Sequence, residues 1–336
     1  MLLNTIKELT EYNHIVVFLT TINEHQVDFS RYAKVYKINF KTWLLLFYYA
    51  IRLHRIIKKT QVAIVHAHLW KSVTLARLAT PGNVRFIFTI HSPLSEDPFR
   101  KSRLSLCIEK LSYRGRQEIL AVSKTALLDY SQMIKIQGKN HVIHNYVEDN
   151  FFLQKLLPKI NQGALRLIAV GNLKEVKNYF LLLKLITTLK GVPVTLDIYG
   201  DGPQYEQLDE YISKNKIEVR LMGVKDDIIS VLPDYDLFVM ASLYEGFGIA
   251  MIEAMAVGLP VLVSDIPVFR EVAGDAAFYF SLQNEKDFAE RIKELQLLKQ
   301  EGNLALCGEK CREQAKAVAS KSIYLEKIRS IYADTN

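Results

Sequence analysis

Two glutamates eight positions apart, Glu245 and Glu253, flank a glycine-bounded break in the segment Ala241-Ser-Leu-Tyr-Glu-Gly-Phe-Gly-Ile-Ala-Met-Ile-Glu. The glycines end a strand pattern, and Ile249 to Ala256 then reads as a helix stopped by Gly258 and Pro260. A helix that starts after glycine presents backbone N–H groups and the positive end of its dipole to phosphates or hydroxyls. A carboxylate reaching the same place accepts two sugar hydroxyls at once, because it has about four lone-pair positions and no proton to donate. Glu245, Gly246, Phe247, Gly248 and Glu253 together therefore describe a nucleotide-sugar site, although either glutamate alone reads as solvated surface.

A second segment, Val170-Gly171-Asn172-Leu-Lys-Glu-Val-Lys177-Asn, repeats the order of strand, glycine, short cationic loop and helix. Lys177 near that helix start could add its ammonium to the N-terminal dipole in holding a diphosphate; by itself it reads as a solvated lysine. Ile198-Tyr-Gly200-Asp-Gly-Pro is only a turn on its own merits, since it lacks the full G-x-G-x-x-G spacing. Three histidines, His66, His68 and His91, end strand-like runs, the edge at which doubly wound sheets bind ligands. Two patterns suggest metal and are set aside. Asp234-Tyr-Asp236 precedes a strand instead of following one, and Cys307 and Cys311 have no further cysteine or histidine nearby to complete a zinc site.

The elements that must hold these residues follow from the alternation of short β-rich runs with amphipathic stretches, the signature of parallel α/β sheets. Strands are predicted at 14–20, 35–38, 63–67, 85–90, 118–121 and 141–143, and again at 166–170, 194–199, 219–222, 237–241, 260–264 and 277–280. The stretch 150–163 carries no strand signal and reads as a linker. At 336 residues two domains are expected, over 1–152 and 164–315. A last helix over 317–332, with Val318, Ile323, Tyr324, Ile328 and Tyr332 spaced for burial on one side, could pack on either domain. The chain opens on a helix, where a doubly wound domain normally opens on a strand, so a missing first strand or a start lying upstream is expected. Three cysteines are too few for a disulfide framework, no signal peptide opens the chain, and the longest apolar run, Trp43 to Ile51, falls short of the about 20 residues of a spanning helix. A cytoplasmic protein is expected.

The succession Val170-Gly-Asn-Leu…Lys177-Asn178, Tyr199-Gly-Asp-Gly-Pro203, Leu221-Met-Gly223, Asp236-Leu-Phe-Val-Met-Ala-Ser242 and Glu245-Gly-Phe-Gly…Glu253-Ala-Met…Gly258-Leu-Pro resembles the retaining glycosyltransferases of family 4, the group 1 glycosyltransferases. The resemblance spans essentially the whole chain and is strongest over 165–280, the Glu245…Glu253 pair being its most specific element. It implies the GT-B fold, two Rossmann-like domains facing a central cleft, with the donor held mainly by the second. It also implies roles: Glu253 on the ribose hydroxyls, Glu245 on the transferred sugar, Lys177 on the diphosphate, and Gly171, Gly200, Gly223, Gly246, Phe247 and Gly248 around the donor. His91 would line the active site near the transferred sugar. Where the family commonly has an arginine beside Lys177's partner glycine, this chain has Asn172. No metal or other cofactor is expected, the nucleotide sugar being a substrate.

Charge divides unevenly: residues 1–150 hold 21 Lys and Arg against 11 Asp and Glu, and residues 151–336 hold 22 against 25. The basic half therefore faces something anionic. One patch joins Arg52, Arg55, Lys58 and Lys59 to Trp43, Phe47 and Tyr48; a second runs over 99–117 with Arg100, Lys101, Arg103, Lys110, Arg114 and Arg116. The first reads either as an ordinary crossover helix or as shallow attachment to an anionic membrane surface. The expected partners are a nucleotide-sugar donor, a glycan or lipid-linked acceptor and that membrane surface. Nucleic acid is not expected, because the patches contain no reading motif. The expected activity is transfer of a hexose-type sugar to a growing surface polysaccharide or lipopolysaccharide. A nucleotide-sugar 2-epimerase and a degenerate binding subunit are the rivals.

Overall fold

The computed structural model describes residues 2–20, 28–96, 102–154, 163–189 and 191–334. The chain divides into two compact units: residues 1–144 with 322–336, and residues 145–321.

The first unit runs α1 (Leu2–Glu8), β1 (Ile15–Phe18), β2 (Lys34–Lys37), α2 (Leu46–Thr60), β3 (Ile64–His68), α3 (Trp70–Ala79), β4 (Arg85–Ile90), α4 (Arg103–Ser112), β5 (Gln117–Ala121), α5 (Lys124–Met133) and β6 (Asn140–Val142). Its strands are all parallel and form two sheets, β1-β2 and β3-β4-β5-β6. Alternation along β4 sorts the two faces, as the period of two requires. Phe86, Phe88 and Ile90 join a core supplied by α2, α3 and α5, whereas Ile87 joins Leu9, Leu325, Ile328 and Ile331 on the other side.

The second unit contains α6 (Asp149–Leu153), β7 (Leu165–Val170), α7 (Tyr179–Thr188), β8 (Val194–Tyr199), α8 (Tyr205–Asn215), β9 (Val219–Gly223), β10 (Leu237–Met240), α9 (Ile249–Ala256), β11 (Val261–Ser264), α10 (Pro267–Ala273), β12 (Phe278–Phe280), α11 (Glu285–Gln300) and α12 (Leu304–Ala319). Its six parallel strands are ordered β12-β11-β10-β7-β8-β9, so the order reverses between β7 and β10. In open α/β sheets such a reversal opens a crevice at the strands' carboxyl ends. A final helix, α13 (Lys321–Ala333), returns the chain to the first unit.

All twelve strands appear where the sequence places them, within a residue or two in most cases. One reading is corrected. The helix expected over 317–332, or 318–334 at its widest, is two helices: Ser320 is extended and bridges to Val147, so α12 ends at Ala319 and α13 starts at Lys321. The two compact units divide at residue 145, and α6, inside the expected linker, packs against α9. The rest of that linker, 155–162, lies outside the described residues, as do Phe99, Arg100 and Lys101 of the second basic patch.

Candidate active site

Every donor-side residue singled out from the sequence belongs to the second unit, at or just beyond the carboxyl ends of its strands. The loops after β7, β8 and β9 are stitched together by backbone hydrogen bonds: Gly171 N–H donates to Tyr199 O (2.9 Å), Leu173 N–H to Asp201 O (3.0 Å) and Gly200 N–H to Gly223 O (2.8 Å). Gly200 is obligatory here. Its φ is +143°, and a Cβ added to it would lie 2.0 Å from the Gly171 carbonyl oxygen.

Lys177 sits in a 3-10 turn, Glu175–Lys177, tied to the loop after β10 by Leu243 N–H donating to Val176 O (2.9 Å). That tie brings the two motifs together. Lys177 Nζ lies 2.5 Å from Glu245 Oε1, and Ser242 Oγ donates to the same oxygen at 2.9 Å. The lysine also lies over Gly171, its Cε 3.2 Å from where a Gly171 Cβ would stand. Both charged side chains are mostly buried, 18% and 16% exposed, so their attraction is little screened. Asn172 is exposed beside them. Ser242 was not identified from the sequence; a serine at a strand end carries no distinguishing spacing, and only the fold shows that it orients Glu245.

Gly246, Phe247 and Gly248 are buried, and Gly248, at φ +87° with no side-chain cap, opens α9. The first-turn N–H groups of α9 are therefore left to a ligand or water. Glu253 stands in the second turn, half-buried. Its carboxyl has no hydrogen bond or ion pair among the described residues, and burial pushes its pKa up to about 7. An open cavity of about 560 Å³ adjoins at the ends of β8 and β9, lined by Asp201, Gly202, Pro203, Tyr205, Gly223 and Val224. A cavity of that size suits a small-molecule ligand.

His91 lies in the first unit, directly after β4, with its Nε2 3.1 Å from Nδ1 of His68. Beside them His66 is bonded at both nitrogens, to Tyr332 Oη at 2.6 Å and Thr89 Oγ1 at 2.7 Å, and its ring lies 4.3 Å from that of His68. Burial pushes His66 down to about 3 and holds His68 well below the usual histidine range, so both are neutral at pH 7. Asp236 sits at the opposite end of the second sheet, buried, accepting from Lys299 Nζ and Arg166 N–H at 2.9 Å each, a structural ion pair. Cys311 is buried against the Ala276 carbonyl.

A cation, a carboxylate held beside it, a half-buried carboxyl with no partner among the described residues and a helix start with no side-chain cap, all near a switch point, are groups of the kind that hold an anionic ligand with hydroxyls. The relatives of this chain agree. It is 21% identical to N-acetyl-alpha-D-glucosaminyl L-malate synthase of Bacillus anthracis, over 98% of this chain and 91% of that protein. It is 30% identical to UDP-Gal:alpha-D-GlcNAc-diphosphoundecaprenol alpha-1,3-galactosyltransferase of Escherichia coli, over 64% of this chain and 61% of that one. Among solved structures it resembles Anabaena HepE in complex with UDP and glucose (TM-score 0.80, 16% identity, 99% of this chain and 94% of that one) and a glycosyltransferase from Rickettsia africae (TM-score 0.82, 19% identity, 98% and 92%). The fold is GT-B. The family model for Glycosyltransferase Family 4 matches residues 1–151 and that for Glycosyl transferases group 1 matches residues 157–318, so this chain is an enzyme that belongs to the group 1 glycosyltransferases.

Proposed function

We propose that this enzyme moves a sugar from a nucleotide diphosphate sugar to a growing glycan carried on a lipid, with retention at the anomeric carbon, in the synthesis of a surface polysaccharide or lipopolysaccharide. The observation that carries the donor side is the pairing of Lys177 with Glu245 over Gly171, on the loops that lead to the start of α9, which has no side-chain cap. In this reading the nucleoside lies toward the cavity beside Gly200 and Gly223, and its ribose hydroxyls donate to Glu253. The diphosphate lies across Gly171 and Gly246 to Gly248, where Lys177 and the first-turn N–H groups of α9 meet the charge that grows as the sugar leaves. Asn172 adds no charge, so Lys177 is the side-chain cation assigned to this task and no metal is assigned. Glu245, steadied by Ser242 and Lys177, accepts hydroxyls of the transferred sugar. His91, with His68 beside it, is assigned to the transferred sugar on the resemblance to the family.

The acceptor reading rests on relatives. The Escherichia coli enzyme named above acts on a diphosphoundecaprenol-linked sugar, and another relative, 30% identical over 56% of this chain, is the O-antigen chain mannosyltransferase RfbU of Salmonella typhimurium. A lipid carrier would bring the enzyme to the inner face of an anionic membrane. The test is to incubate the purified protein with individual nucleotide diphosphate sugars and diphospholipid-linked sugar acceptors, and to read the anomeric configuration of the product by NMR. Retained configuration is expected. Inversion, or a 2-epimerised sugar formed without acceptor, would overturn the reading.

A further inference from the structure

The helix α2 does not wear the face of an ordinary surface helix. Its buried side, Tyr49, Ala50, Leu53 and Ile57, joins the first unit's core. Its outward side carries apolar residues where water should be met by polar ones: Leu44 in the turn leading into it is 92% exposed and Phe47 74% exposed, and Tyr48 and Ile51 are more than half exposed. Positions 44, 48, 51, 55 and 58–59 fall on one stripe at helical spacing. The stripe is thus apolar at its start and continues as the exposed cations Arg55, Lys58 and Lys59. Arg52 is not part of it, since its guanidinium donates to Ile38 O at 2.9 Å.

The apolar end has a neighbour. Trp43 packs against Trp70 at the start of α3 with ring centroids 5.1 Å apart and planes inclined by 45°, and Leu69, immediately before Trp70, is 68% exposed. Leu69 has φ +67° and ψ 146°, a backbone conformation that non-glycine residues rarely adopt and that marks functional positions. Leu69 directly follows His68, so this apolar rim borders the edge that carries His91. The charge around it has one sign only: between Asp28 and Glu96 the chain contains no Asp or Glu and eleven Lys or Arg.

A protein surface that seats on a bilayer interface needs exposed apolar side chains to enter the headgroup region and cations beside them to meet anionic lipid, a combination that a solvated surface helix lacks. We infer that the outward stripe of α2, with Leu44 and Leu69 at its apolar end, is the surface by which the first unit seats itself on an anionic phospholipid membrane. Phe47, Tyr48 and Leu44 enter the headgroup boundary while Arg55, Lys58 and Lys59 meet lipid phosphates. The inference rests on the lipid-linked acceptor only for its purpose, because an edge carrying His91 that is pressed toward the bilayer is where a membrane-borne acceptor arrives.

The experiment is co-sedimentation of the full-length protein with vesicles of phosphatidylcholine alone or mixed with phosphatidylglycerol. Binding is expected only to the mixed vesicles, and it should weaken with salt as the Debye length shortens to about 8 Å at physiological ionic strength. The triple variant R55E/K58E/K59E should bind about 100-fold more weakly or worse, since each cation near an anionic surface contributes several-fold. L44S/F47S should lose binding as well, with its thermal unfolding midpoint unchanged, because these side chains leave no core. Equal sedimentation of both variants and wild type overturns the inference. So does a wild-type dimer that L44S/F47S converts to monomer, which would make the stripe a contact between copies. Transfer to a short water-soluble acceptor, measured alongside, reports on the proposed activity independently of vesicle binding.

Discussion

Glu253 carries a burial cost that no hydrogen bond or ion pair among the described residues offsets. Its folded pKa is about 7, against about 4.5 for a free glutamate, so the folded protein holds this proton in a range where the unfolded chain has lost it. Stability from this residue therefore falls as pH rises from about 4.5 to 7 and then levels at a penalty of about 3 kcal/mol. Glu253→Gln should raise the thermal unfolding midpoint at pH 8 and leave it unchanged at pH 4, while weakening donor binding by about 1 to 3 kcal/mol as the ribose hydroxyls lose a charged acceptor. Calorimetry giving equal midpoints at both pH values, or an unchanged donor affinity, would reassign the residue to simple packing. Wild-type donor affinity should accordingly rise between pH 6 and 8, because binding favours the ionised form. Lys177 is the complementary case. It already has a partner in Glu245, so on the proposed reading removing it costs twice: the leaving diphosphate loses its cation, and a mostly buried carboxylate loses its counter-charge. Lys177→Ala should lower kcat about 100-fold or more, and steady-state rates at saturating donor will tell. Equal turnover would mean that the lysine only anchors Glu245.

The loops that hold these residues are positioned by contacts too close to tolerate side chains. Gly200→Ala puts a methyl group 2.0 Å from the Gly171 carbonyl oxygen and forces an L-residue to φ +143°. It should separate the β7 and β8 loops and abolish donor binding at ambient temperature, a titration outcome that an intact Kd would refute. In the first unit a buried clamp joins three helices: Arg77 of α3 donates to Glu109 of α4 at 2.7 Å, Tyr130 of α5 donates to the same carboxylate at 2.7 Å, and the guanidinium sits 4.7 Å over the Phe88 ring. Arg77→Ala should cost about 3 to 5 kcal/mol by leaving a buried carboxylate without its cation, whereas Arg77→Met with Glu109→Leu should recover most of that. Denaturant unfolding of both variants separates these outcomes. Such elements differ in how well the sequence announces them. Most strands are short apolar runs rich in β-branched or aromatic residues, so their positions are local information. The break at Ser320 is not local: the apolar spacing continues through Ile323 and Ile328, and what ends α12 is a bridge to Val147, more than 170 positions away. The Ser242–Glu245–Lys177 contact is hidden for the same reason, since it joins two loops that the sheet order alone brings together. Likewise nothing in the spacing of Arg52 and Arg55 tells that the first bonds a carbonyl and the second meets solvent.

At the scale of the whole molecule, two cores with separate tasks share one chain, and the crossover at α13 makes the first depend on the last residues. The second unit holds the groups proposed to bind the donor and the nearly balanced charge; the first holds His91, the excess of positive charge and the outward stripe of α2. A nucleoside diphosphate, the part of the donor that the proposed reading places on the second unit alone, should stabilise only that unit, by about 2.7 kcal/mol at a hundredfold excess over Kd, or roughly 5 to 10 °C for a unit of this size. The α13 helix makes the opposite test. Leu325, Ile328 and Ile331 close the first unit's second core against Leu9, Ile87 and Leu120, and Tyr332 holds His66. Burial of three such side chains is worth about 5 kcal/mol or more, a large part of what an ordinary domain has. A chain ending at Lys321 should therefore lose or sharply lower the unfolding transition of the first unit, while calorimetry still finds the donor bound by the second with near wild-type affinity. Two transitions at unchanged temperatures would show that α13 is dispensable packing. Loss of donor binding along with the first transition would show instead that the two units fold as one.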